Sequence, residues 1–231
     1  MYQNRKLEEI IDLHGKTSIS TILKHVKNIQ DLCIFNKAFI TNRLYRNINY
    51  LAEFGKAEDT NGHDIERNKL THLHDYGIIT SSGQSNLLLP NEHQRGYLEF
   101  YTSKITIDRL KDSLLQHPDI YTIIFYNKTQ HISNFPKDTT MINLTKRKDK
   151  HGEWTYPTNY WNDFSHSIYT YKDEYEDDTR LYFPKVNKIV DECALVCIIC
   201  IQYGHTINCS DILLDLLQSC GIQRILYGTE E

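Results

Sequence analysis

The stretch CALVCIIC, residues 193–200, decides how the C-terminal part of this chain is read. Its cysteines stand at C-x3-C-x2-C spacing, which suits the thiolate ligands of an iron–sulfur cluster or, with a fourth donor, of zinc. In a helix over about residues 185–203, however, Cys193, Cys197 and Cys200 fall at i, i+4 and i+7 and share one face. Free cysteine behaves as a small buried apolar residue, so three thiols in an apolar run are read as the inner face of a core helix. A zinc site would have to recruit His205 or Cys209 from the following YGHTINC. A second helix, about 211–220, has Ser210 as its cap and Gly221 as its stop.

The 231 residues are 40% apolar and 24% charged, a globular balance with room for two domains. The net charge of −4 supplies no global attraction to nucleic acid or acidic membranes, so such binding would need a local patch. The N-terminus MYQNRKLEEIIDLHG has no apolar core of a signal peptide, and no uncharged apolar run approaches the roughly 18 residues a membrane helix needs. No membrane partner is expected. The six cysteines crowd toward one end rather than forming a framework, which points to free thiols in an intracellular, reducing compartment.

The first 80 residues carry helical periodicity. Ile19, Ile22, Leu23, Val26, Ile29 and Cys33 recur at helical spacing in ISTILKHVKNIQDLC, and Phe39, Ile40, Leu44, Ile48, Leu51 and Phe54 do so before the stop at Gly55. A third helix runs from about Asp64 to Tyr76 and ends at Gly77. Beyond it, IITSS and NLLLP flank SGQSN as a hairpin. GYLEFYTSK, TIDRLKDSLLQHPD and IYTIIFYNK then read as strand, helix, strand, with Thr106 as cap and Ile107, Leu110 and Leu114 as the inner face. Such a crossover implies a parallel pair, hence a mixed sheet. Residues 133–185 read as a polar loop region with a basic cluster, KRKDKH, and an acidic one, DEYEDD.

The run from Leu70 through Leu73 and Gly77 to Ile78 and Ile79 resembles the end of a recognition helix and the start of the wing in a winged helix-turn-helix, over about residues 38–90. The resemblance implies duplex DNA or a protein as partner. A helical wheel sets Ile65, Leu70, Leu73 and Tyr76 inward and leaves Arg67, Asn68, Thr71 and His74 as groove residues. Lys146, Arg147 and Lys148 of the basic cluster would add phosphate contacts.

Two hydrolytic alternatives use some of the same residues. His74-Asp75 looks like the central pair of HD-domain phosphohydrolases, with His25 upstream and Asp108 downstream as its metal partners. PNEHQRGYLEFYTSK faintly looks like a PD-(D/E)xK nuclease core, in which Asn91 or Glu92 and Glu99 would hold a divalent cation; the expected lysine position is Tyr101. The expectation is therefore an α+β protein: a helical, winged-helix-like domain over 1–90, then an α/β domain over 91–231 with a mixed sheet and two C-terminal helices. Its expected role is non-catalytic DNA or protein binding, with a protein partner or a homodimer as further options and no cofactor or resident metal. A metal-dependent hydrolase of nucleic acid or nucleotides, and a pure scaffold, are the alternatives.

Overall fold

CALVCIIC is a strand. In the computed structural model, which describes residues 7, 9–11, 19–40, 68–89, 92–147, 155–159, 183–204 and 206–225, Cys193–Cys200 is extended and every one of its eight residues is buried. A strand covered on both faces shows no alternation, so its sequence reads as a continuous apolar run, which over eight residues looks the same as one flank of a buried helix. The helix expected over 185–203 is accordingly two elements, a helix over Phe183–Asp191 and this strand.

In chain order the elements are α1 (Ile19–His25), α2 (Ile29–Ile40), α3 (residues 68–74), β1 (Ile79–Gln84), β2 (Leu87–Leu89), β3 (Glu92–Gln94), β4 (Tyr97–Ser103), α4 (Lys104–Gln116), β5 (Ile120–Asn127), β6 (Gln130–Ser133), β7 (Met141–Asn143), β8 (Thr145–Arg147), β9 (Thr155–Pro157), α5 (Phe183–Asp191), β10 (Cys193–Cys200) and α6 (Cys209–Ser219). The class is α+β. The chain divides into two compact units: residues 1–79, 163–192 and 223–231 form one, and residues 80–162 and 193–222 the other.

The first unit is helical in its described part. The periodic run over 19–33 is interrupted after His25, because Asn28 Oδ1 accepts the Asp31 N–H (2.9 Å) and Asp31 Oδ2 accepts the Lys27 N–H (2.8 Å). These side chains satisfy the open N-terminal donors of α2 and make it a separate helix. Ile22, Leu23, Val26, Leu32, Cys33, Phe35, Ala38, Leu70 and Leu73 are buried, as are Val186 and Val190 of α5. Lys185 of α5 donates to the Lys24 carbonyl (3.0 Å). Gly77, at φ +76°, ends the turn after α3 in a conformation that favours glycine. The expected helix from Asn36 to Gly55 lies, beyond residue 40, outside the described residues.

The second unit is built on a five-stranded sheet in the order β1-β4-β10-β5-β6. β10 pairs antiparallel with both β4 and β5. The strands of the β4-α4-β5 crossover therefore run the same way, as expected, but they are not neighbours. The most apolar strand lies between them, where it is covered on both faces and both edges. α4 packs on β4 and β5 and against α6, and Thr122 Oγ1 donates to the Leu114 carbonyl (3.0 Å). Ser103, rather than Thr106, caps α4: its Oγ accepts the Thr106 N–H at 3.0 Å. α6 begins at Asn208, whose N–H donates to Asp211 Oδ2 (3.3 Å), and Ser210 is buried in the first turn instead of capping it.

SGQSN is not a hairpin. β1 continues through Gln84 and borders β4, while β2 joins β3 and β8 in a separate three-stranded sheet. Ser81 and Ser82 are drawn into this strand by Glu99 and Tyr97 of β4, which their hydroxyls meet at 2.6 and 2.7 Å. The region read as loop over 133–185 contains β7, β8 and β9, each three residues long and too short to show a period.

Candidate functional site

Strand alternation sorts the polar groups of the large sheet. Glu99 and Cys197 are register partners, so Tyr97, Glu99 and Tyr101 share a face with Cys193, Leu195, Cys197 and Ile199. Cys200 points to the opposite face, where its Sγ lies 3.4 Å from that of Cys209 on α6. A helix would have gathered the three cysteines; the strand separates them.

Glu99 is 2% exposed. Ser81 Oγ donates to its Oε1 and Tyr156 OH, from β9, to its Oε2, each at 2.6 Å. The Tyr156 and Tyr97 rings are 6.0 Å apart. Burial holds the Tyr156 phenol well above its ordinary range, with Cys197 and Glu99 adding to the effect, and pushes Tyr97 up to about 12. The Cys197 thiol is raised by burial and then by Glu99, and Cys209 by burial and then by Cys200. Both are neutral thiols at physiological pH, which makes them poor nucleophiles. At its centre is a buried carboxylate satisfied by two hydroxyl donors.

Of the residues expected at a nuclease-like cation site, Glu92 and Glu99 stand on strands of different sheets. Glu92 lies in β3 of the three-stranded sheet, and both oxygens of Glu99 are engaged by hydroxyls. Asn91 is outside the described residues. Among the described residues no group of three or more His, Cys, Asp or Glu is placed to hold a metal ion.

His74 requires a correction. It stands four residues after Leu70, hence only about 40° round the helix from it, on the inner face. The side chain is fully buried: Nδ1 donates to the Leu70 carbonyl (2.6 Å) and Nε2 accepts from Asn36 Nδ2 (2.7 Å). This pairing selects the neutral Nδ1–H form, and burial lowers the imidazole to about 4. His74 therefore faces no groove. Asn68 and His72 are exposed and Thr71 half-buried, so His72 takes the outward position. Asp75, beside them, pairs with Lys37 at 2.7 Å. Arg67 is outside the described residues. For the HD-type reading, His25 closes α1 with its ring half-buried, and Asp108 sits on α4 of the other unit with Lys111 3.3 Å away.

Of the basic cluster, Lys146 and Arg147 belong to β8, in register with His93 and Glu92. Lys146 is exposed; Lys148, like the candidate zinc ligand His205, lies outside the described residues. The sequence reading missed Arg95, Tyr121 and Tyr203, which line an open cavity of about 280 Å³. Arg95 precedes Gly96 in the PNEHQRG stretch searched for carboxylates, and no spacing links it to tyrosines 26 and 108 residues away. No protein family matches the sequence and no characterised protein is significantly similar to it.

Proposed function

We propose that the chain is a non-catalytic binding protein whose N-terminal unit contacts duplex DNA through the outward face of α3. The observation that carries this reading is the division of that helix. Leu70, Leu73 and His74 are buried on one side, Asn68, Thr71 and His72 are left on the other, and Gly77 at φ +76° leads into the buried Ile78 and Ile79. That arrangement supports the winged-helix resemblance in its helix-glycine-strand part. Asp75, which follows this helix, is paired with Lys37 at 2.7 Å. The non-catalytic part of the proposal is supported by Glu99, His74, Cys197 and Cys209, whose reactive atoms are buried and satisfied within the protein. Six cysteines outside any disulfide, five of them buried, accord with a reducing compartment.

The test is fluorescence anisotropy against mixed-sequence duplex DNA at two salt concentrations. Binding is expected to fall with salt, with a slope of about 0.9 per phosphate contact in log units. Arg67→Ala with Asn68→Ala is expected to weaken it about tenfold. Absence of binding at low salt, or binding indifferent to both substitutions, overturns the reading.

A further inference from the structure

Arg95 is built like a ligand-binding arginine. Its backbone is held on two sides: its N–H donates to the Leu144 carbonyl (2.8 Å), and its carbonyl accepts from Gln84 Nε2 (3.0 Å). Its guanidinium carbon lies 4.3 Å from the Tyr203 ring centroid and 6.0 Å from that of Tyr121. Nη1 donates to the Asn143 carbonyl (3.3 Å), which also accepts from Tyr203 OH (3.2 Å). The charge is thus oriented by rings and a backbone carbonyl. Among the described residues no carboxylate lies within ion-pair distance, and buried Nε has no acceptor.

A stacked guanidinium keeps its planar donor edge fixed and loses little freedom on meeting an anion. The cavity it borders is about 280 Å³, just below the roughly 300–1,000 Å³ typical of drug-sized sites. Thr139 and Asn143 supply polar wall, and Pro136, Met141 and the Tyr121 ring supply apolar wall; the Phe135 ring lies 5.7 Å from that of Tyr121.

We propose that the Arg95–Tyr121–Tyr203 cavity binds a small organic anion, a phosphate or carboxylate carried on a flat ring, with the anion on Arg95 and the ring on the Tyr121–Met141 wall. The site lies wholly within the second unit and is independent of the DNA reading.

Isothermal titration of the full chain with AMP, 4-hydroxybenzoate and inorganic phosphate, each at millimolar concentration, tests it and separates the two anion sources. At least one ring-bearing anion is expected to bind more tightly than inorganic phosphate. Arg95→Gln is expected to weaken that ligand about tenfold or more, the loss of one charge-assisted hydrogen bond. Because Arg95 also stacks on Tyr203, Met141→Glu provides a second probe. Met141 is 48% exposed on the rim, so its substitution leaves the fold intact while repelling an anion, and a comparable loss is expected. No binding by any of the three compounds overturns the proposal, as does inorganic phosphate binding as tightly as the ring-bearing anions, or retention of affinity in Met141→Glu. Unchanged DNA binding by Met141→Glu is the expected sign that the two sites are separate.

Discussion

His74 makes the first unit acid-sensitive. The imidazole is lowered from an ordinary 6.5 to about 4, by burial first and with Lys37 adding to it, and its two hydrogen bonds suit only the neutral form. Protonation would set an N–H against the Asn36 amide donor. A base with a depressed folded pKa binds its proton in the unfolded chain first, so stability is full above about 6.5 and falls as the pH drops toward 4. Within that window the slope approaches 1.4 kcal/mol per pH unit, and integrating from pH 7 to pH 5 gives a loss of about 2 kcal/mol from this residue alone. Glutamine at position 74 offers a donor and an acceptor but does not titrate. Urea denaturation of the wild type and of His74→Gln at both pH values isolates the residue, because the other titrations, including Asp31 raised by burial, are common to both. The wild type is expected to lose about 2 kcal/mol more than the variant. Equal losses refute the argument, and so does an NMR titration of the wild type in which His74 protonates near pH 6.5.

Three further outcomes are expected. Tyr156→Phe removes the donor to Glu99 Oε2 and leaves a buried carboxylate oxygen short of a partner, which lowers stability by about 2 kcal/mol; an unchanged urea midpoint would show the contact to be unimportant. Mild alkylation of the native protein is expected to label Cys220, which is half-buried, well before Cys33, Cys193, Cys197, Cys200 and Cys209, which become reactive only with denaturant; mass spectrometry of the labelled peptides reads the order. Ser103→Ala costs about 1 kcal/mol through the lost cap on α4, and Thr106→Ala less, measured by thermal melting.

Much of the architecture was legible in sequence. The inner face of α4 over Ile107, Leu110 and Leu114 is buried as its period requires, and β4 and β5 lie where the strand–helix–strand reading set them. Asn28 and Asp31 mark the break between α1 and α2, a signal passed over because the apolar period continues through it. The site was less legible. Arg95, Tyr121 and Tyr203 meet only because β10 carries the chain back beside β4 and β5, and sequence distance conceals such long-range neighbours. His74 was readable: its place four residues from Leu70 already sets it inward.

The residues by themselves determined the α+β class, the inner face of α4 and the glycine stops at Gly77 and Gly221, because these follow from local sterics and from which faces avoid water. Only the tertiary structure decided what CALVCIIC is. An eight-residue apolar run satisfies a buried helix and a buried strand equally, and the choice is made by partners far along the chain, β4 on one edge and β5 on the other, whose backbone groups it completes. That choice separates Cys197 from Cys200, joins Cys197 to Glu99, and sends the chain on to Tyr203 beside Arg95.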